Sequence, residues 1–242
     1  DLLKGQSSTV LELIGNSTAI NQLKSTIARV GPTNSRILIM GPPGSGKELI
    51  ARTIHTQSTR AKGPFVAVSS ASIDPDRMET ELFGEEAADG RVLKVGLFEQ
   101  AHNGTLLLDK IADMPAGTQS KILRVLVDQK FKRLNGKDDV RVDTRVISTT
   151  SRDLPGEIAR GTFREDLYYR LNVVPLLAPP LSERREDIPE LVQFFSQRIC
   201  EAGNMAQRSL SASSVALLQA ADWPGNVRQL RNMVERILIM AT

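Results

Sequence analysis

The residues with the clearest chemistry lie in one run, GPPGSGKE: Gly41, Pro42, Pro43, Gly44, Ser45, Gly46, Lys47 and Glu48. Glycines at this spacing let a backbone curl until successive N–H groups and a helix N-terminus face one anion, and the lysine adds a point charge. That chemistry is phosphate binding. An ordinary glycine-rich strand-to-helix turn is the competing reading, and the strand before and helix after the run weigh against it. In the general motif Ser or Thr follows the lysine and ligates Mg2+; here Glu48 and Leu49 follow instead. The second candidate is Asp109, which closes the apolar run TLLL and suits a Mg2+ ion held directly or through water. Beside it stands Lys110. A site that hydrolyses a nucleotide needs a carboxylate there to orient water, whereas a charged lysine has donors and no acceptor. Other chemistries lack their residues. Cys200 is the single cysteine, and His55 and His102 lie too far apart for zinc-ligand spacing. Protein-kinase and hydrolase-triad signatures are missing, and Asn135-Gly136-Lys137-Asp138 lacks the order of a guanine-reading motif.

These residues need elements to position them. Apolar runs of strand length occur at RILIM (36–40), FVAV (65–68), TLLL (105–108), RVIST (145–149) and VVPLL (173–177), with helical patterns between them. Continuous rather than alternating apolar runs suit strands covered on both faces, so the expected fold is α/β: a P-loop core with a parallel sheet flanked by helices. Asn135-Gly136 predicts a tight hairpin turn, because this pair tolerates positive φ at both central positions. After Pro179-Pro180 the stretches EDIPELVQFFSQRI, SASSVALLQAA and NVRQLRNMVERILIM carry apolar residues at helical spacing with no strand between them. The expected division is an α/β nucleotide-binding subdomain over 1–178 and a helical lid over 179–242.

A chain of 242 residues with 40% hydrophobic content can bury a full core. Its 31 basic and 28 acidic residues are interspersed, so the net charge of +3 is no sign of a nucleic-acid surface. No apolar run approaches the ~18 residues of a membrane span, and the opening DLLKGQSSTV has no basic region leading into an apolar stretch. A cytoplasmic location with no membrane partner is expected. The missing initiator Met reads as a piece of a longer chain.

Longer motifs extend the reading. GSGKE, ELFG (81–84), LFEQAHNGTLLLD (97–109), FREDLYYRLNVVP (163–175), PPLSERREDIP (179–189) and WPGNVRQLRN (223–232) stand in the order and spacing of the AAA+ central domain of sigma-54-dependent transcription activators, which this chain resembles. The resemblance implies ATP or ADP with Mg2+ at the boundary between subunits of a dimer or hexameric ring. It adds Ile14 and Gly15 to the nucleotide-binding set and assigns Arg228 as the nucleotide contact of the lid. Arg164 and Arg170 match the arginines that reach a neighbour's phosphates; pairing with Glu165 or Asp166 is their other reading.

The departures from that family form a pattern. The GAFTGA loop between ELFG and FEQA, used to grip the sigma factor, is replaced by EEAADGRVLKVG. Lys110 stands for an acid, and Ser69 and Ser151 stand for asparagines near the γ-phosphate. Together with LLLDKIADMP and KILRVLVDQKFKRLNG, these features are similar to the NtrX type of nitrogen-responsive two-component regulator. That type implies a receiver domain and sensor kinase upstream and a DNA-binding domain downstream. Within the chain no recognition helix or basic stripe is evident. The expected function is ATP binding that regulates assembly, with weak hydrolysis and no remodelling of sigma-54. The second reading is an active ring ATPase acting on RNA polymerase, with Glu85 or Glu86 as substitute for the missing acid.

Overall fold

The computed structural model describes residues 12–240; the opening DLLKGQSSTV lies outside them. The elements run α1 (Thr18–Val30), β1 (Ile37–Met40), α2 (Lys47–Thr56), β2 (Phe65–Ser69), α3 (Met78–Phe83), β3 (Gly84–Glu86), β4 (Val92–Val95), α4 (Leu97–Gln100), β5 (Thr105–Asp109) and α5 (Ala116–Asp128). They continue with β6 (Lys130–Phe131), β7 (Val140–Arg141), β8 (Arg145–Thr150), α6 (Leu154–Ala159), α7 (Glu165–Leu171), β9 (Val174–Leu177), α8 (Ile188–Ala202), α9 (Ala212–Ala220) and α10 (Asn226–Met240).

The five apolar runs form one five-stranded sheet in the order β2-β5-β8-β1-β9, every pair parallel. Side chains alternate across a pleated strand, so β2, β5, β8 and β1 each feed two cores at once, while the edge strand β9 packs only Val174 and Leu176 inward and leaves Leu177 exposed. Ile37, Ile39, Leu107 and Ile147 face α1 and α2, packing on Ile20, Ile27, Ile50 and Ile54. Leu38, Leu106, Leu108 and Val146 face the other way, onto Phe83, Phe98, Ile122 and Leu167. Burial on both faces is why the runs of β1 and β5 are unbroken, whereas β8, equally buried, ends in the polar residues Ser148, Thr149 and Thr150. Helix α1 begins at Ser17, whose Oγ accepts the N–H of Ile20, and buries the stripe Ile20, Leu23 and Ile27.

Two short hairpins stand outside this sheet. In the first, β3 and β4 pair antiparallel with a register shift at Glu85 and Glu86. In the second, β6 pairs with β7, and the expected tight turn at Asn135-Gly136 is not what joins them. Asn135 is left-handed at φ 60°, but Gly136 is not, and the connection runs over 132–139. The reason is tertiary: Leu134 leaves the hairpin to bond the first one, donating to Gly84 O and accepting from Glu86 N. Arg133 reinforces that junction through Glu86 and Glu99, each at 2.6 Å.

Beyond β9 the described chain is helical. Ile188, Leu191, Val192, Leu218, Leu230, Val234 and Leu238 from α8, α9 and α10 share a third core, against which Ile14 also packs. Among the described residues no helix is long and apolar enough to cross a membrane.

Candidate functional site

Residues 41–46 connect the end of β1 to the start of α2, beside the carboxyl ends of β5 and β8. Gly41, Gly44 and Gly46 have φ of 157°, 76° and 94°. At Gly44 a side chain is excluded twice, by the left-handed backbone and because a Cβ would lie 2.1 Å from Gly225 O. Two of the loop's carbonyls, those of Gly41 and Pro42, are taken locally. Lys47 Nζ donates to Gly41 O at 2.8 Å and Pro42 O at 2.9 Å, and Ser45 Oγ donates to Pro42 O at 2.8 Å. Among the described residues no backbone carbonyl accepts the N–H groups of Gly44, Gly46, Lys47 or Glu48. Uncommitted donors of this kind at a helix start form an anion cradle.

Lys47 is buried, and its Nζ also donates to Ser151 Oγ at 2.8 Å. Burial pushes its ammonium below the ordinary lysine range; Asp109 opposes that, and the charges of Arg228 and Lys110 add to it. Asp109 ends β5 in register with Ser69 of β2. Its Oδ1 accepts from Thr149 Oγ1 at 2.5 Å, and the same hydroxyl accepts the N–H of Lys110 at 3.1 Å. Lys110 itself is exposed and left-handed, φ 57°, a costly backbone for a residue that is neither Gly nor Asn. Thus Lys47, Asp109, Lys110 and Ser151 share one region. Thr149, which joins Asp109 to Lys110, was missed; only its place near the end of RVISTT hints at it.

Glu48 turns away. Its carboxylate is exposed and paired with Arg52 one turn on, at 2.9 Å, and the Arg52 guanidinium lies over the Phe65 ring. Leu49 packs in part against the α1/α2 core. No group of three or more potential metal ligands exists among the described residues. Asp109 still suits Mg2+, which binds through one or two carboxylates plus phosphate oxygens and water; its Oδ2 carries no hydrogen bond among the described residues.

The lid is seated on this loop. Arg228 N donates to Gly44 O at 3.2 Å, and Asn226 Nδ2 donates to Pro43 O at 2.9 Å. Ile14 and Gly15 lie at the seam, where Ile14 O accepts from Arg184 Nη2 at 2.6 Å. A Cβ on Gly15 would fall 2.4 Å from Cγ of Asp187. No hydrogen bond joins either residue to the phosphate loop; they touch it through the lid. Asn226 and Asp187 had no signal beyond membership of longer motifs.

Arg164 stands at the N-cap of α7 and Arg170 in its last turn, and they bond to none of the residues above. Arg164 forks onto Asp166 at 3.0 and 2.7 Å and reaches Ser120 Oγ. The Arg170 side chain has no hydrogen-bond or ion-pair partner among the described residues, and it is exposed. Glu86 is buried and held by Arg133, while Glu85 faces Asn135 at 3.4 Å.

Comparison with known proteins agrees with this anatomy. Residues 13–177 match the sigma-54 interaction domain, and residues 182–242 match the AAA+ ATPase lid domain. The nitrogen assimilation regulatory protein NtrX of Azorhizobium caulinodans is 58% identical over 95% of this chain, and the regulatory protein AtoC of Escherichia coli is 43% identical over 94%. The chain spans about half of each, 50% in both cases. Crystal structures of NtrX from Brucella abortus in complex with ATP and with ADP superpose with TM-scores of 0.90, 58% identity and coverage of 95% of this chain, and of 50% and 51% of theirs. The parallel sheet, the glycine loop and the helical lid seated on it are thus those of a known group: the chain belongs to the sigma-54 interaction domain family of AAA+ proteins.

Proposed function

We propose that this domain binds ATP or ADP with Mg2+ as the regulatory and assembly module of a bacterial two-component transcription regulator, and that it hydrolyses ATP weakly. The observation that carries the reading is Lys110. It follows Asp109 directly, its N–H is anchored on Thr149, and its side chain offers no acceptor to a water molecule. A positioned base contributes typically ~10²–10⁴ in rate, which this site forgoes. The cradle around Lys47 remains complete, so binding is retained where turnover is not. The ATP and ADP complexes of the Brucella relative support the choice of nucleotide.

In this reading 1–178 is the nucleotide subdomain and 179–242 the lid. The N–H groups of the phosphate loop and Lys47 hold the outer phosphates. Asp109 would hold Mg2+, which would supply charge neutralisation at the phosphates. Arg228 approaches the nucleotide from the lid, and Ile14 and Gly15 line its other end. Arg170, exposed and unengaged, is the better placed arginine to reach a neighbouring subunit's phosphates in a dimer or ring; Arg164 must first leave Asp166. Lacking the GAFTGA loop, the domain is not a sigma-54 remodeller. DNA contact belongs to a domain downstream, and signal input to a receiver domain and sensor kinase upstream, all cytoplasmic. The alternative, a ring ATPase driving RNA polymerase, needs another acid; Glu86 is a poor substitute because Arg133 engages it, and Glu85 faces Asn135.

Calorimetric titration of Mg-ATP, with phosphate release followed over a range of protein concentrations, tests this. The expected outcome is binding with little release, and at least a tenfold rise in release for Lys110→Glu, within the ~10²–10⁴ span of base catalysis. Rapid, concentration-dependent release by the unchanged chain sinks the proposal.

A further inference from the structure

Four consecutive carbonyls of the phosphate loop are held, and two of their donors come from the lid. Gly41 O and Pro42 O are taken by Lys47, Pro43 O by Asn226 Nδ2 at 2.9 Å, and Gly44 O by Arg228 N. Asn226 stands at the start of α10, buried to 3% exposure, with φ 51°. Asparagine is one of the few side chains that accept this left-handed backbone. Its Oδ1 accepts the N–H of Leu181 at 2.8 Å, and Nδ2 faces Pro43 O and, at 3.3 Å, Pro224 O. One N–H and two carbonyls around a carboxamide leave it one orientation.

The consequence concerns the peptide joining Pro43 to Gly44. In a trans peptide the C=O and the N–H point to opposite sides of the chain. With Pro43 O held toward Asn226, the Gly44 N–H is turned away from the lid, and among the described residues no backbone carbonyl receives it. Gly44, like the other glycines of the loop, has wide backbone freedom, because glycine populates both signs of φ. Something outside the loop must hold this plane, and Asn226 is the side chain that does so.

We propose that Asn226 is a positioning residue for nucleotide binding: it holds the peptide of Pro43 and Gly44 so that the Gly44 N–H is offered to a phosphate oxygen. Docking of the lid and readiness of the loop are thereby one event. The proposal rests on the ATP reading above, and two measurements separate the two.

Asn226→Asp keeps the acceptor for Leu181 and sets an oxygen against Pro43 O; Asn226→Gly keeps the backbone and removes all three side-chain bonds. The first measurement is the set of backbone 15N order parameters of Gly41, Gly44, Ser45 and Gly46 in the nucleotide-free chain. They are expected to fall in both variants from about 0.85 toward about 0.6, with Leu230 and Val234 in the lid core unchanged. A merely structural defect loosens Leu230 and Val234 as well. The second is the affinity for Mg-ATP, expected to weaken by about tenfold, the scale of one hydrogen bond to a charged group. Equal affinity in the wild type and both variants overturns the proposal, as does loosening of the lid core together with the loop. If the wild type takes up no ATP, the ATP reading falls, and the order parameters alone decide whether Asn226 holds the loop.

Discussion

Asp187 has 1% of its surface exposed and collects more donors than any other carboxylate near the site. The N–H groups of Asn16 and Ser17 reach Oδ1 at 2.8 Å each, Ser17 Oγ reaches Oδ2 at 2.6 Å, and Arg184 Nε reaches Oδ2 at 3.0 Å. Burial by itself favours the neutral acid, yet these bonds and the adjacent guanidinium together hold the carboxyl below its usual range. The unfolded chain therefore protonates this group first as pH falls. Its contribution to stability is full above the unfolded value near ~3.9 and is lost as pH drops through the lower folded value. Asp187→Asn is expected to lower the unfolding free energy by about 3 kcal/mol at neutral pH, since Arg184 is left buried without its counter-ion. In urea titrations the gap between wild type and variant should narrow below roughly pH 4; a gap that widens on acidification contradicts this account. At this scale the sequence was uneven. Lys47, Asp109 and Lys110 were legible because each chemistry has its own residue type at a set spacing. Asp187 and Asn226 were not, because their partners lie 170 and 183 positions away.

Elements explain how such residues are aimed. The end of α1 is closed by a residue from β8: buried Arg145 donates to Gly31 O at 2.8 Å, Val30 O at 3.0 Å and Ser35 O at 3.1 Å, with no carboxylate among its partners. A cation at a helix C-terminus meets both the orphan carbonyls and the negative end of the helix dipole. The same strand, paired in register with β1 and β5, carries Thr149 to Asp109. Arg145→Met keeps the bulk and leaves the Gly31 and Ser35 carbonyls unpaired, at a cost of about 3 kcal/mol. Thermal unfolding should fall by roughly 10 °C; a change of 1 or 2 °C contradicts the cap. RVISTT announces a buried strand through its apolar run, but nothing in it says that its arginine points inward. The hairpin at 130–141 shows the converse. Asn135-Gly136 carries a strong local turn signal, and Leu134, by pairing with the first hairpin, overrides it.

Across the whole molecule, the loop and the lid meet along a seam that runs from Ile14 through Arg184 and Asp187 to Leu181, Asn226 and Pro43. Arg170 stands apart from it, with no ion pair among the described residues, at the exposed end of α7. Arg170→Glu should therefore leave the unfolding free energy within about 0.5 kcal/mol of wild type, as is usual for an exposed position. It should still impair nucleotide-dependent assembly in sedimentation velocity, and assembly unaffected by the reversal argues against contact with a neighbour's nucleotide. By itself, the sequence determined the layered α/β architecture, the phosphate loop and the acid at the end of β5. Each is a local pattern: an unbroken apolar run for a strand covered twice, or a fixed spacing of glycine and lysine. Only the tertiary structure decided which lid atoms hold the loop, that Glu48 serves Arg52, and that Arg164 is engaged while Arg170 is not. Hydrogen bonds act over about 3 Å in space and carry no mark of the sequence distance they bridge.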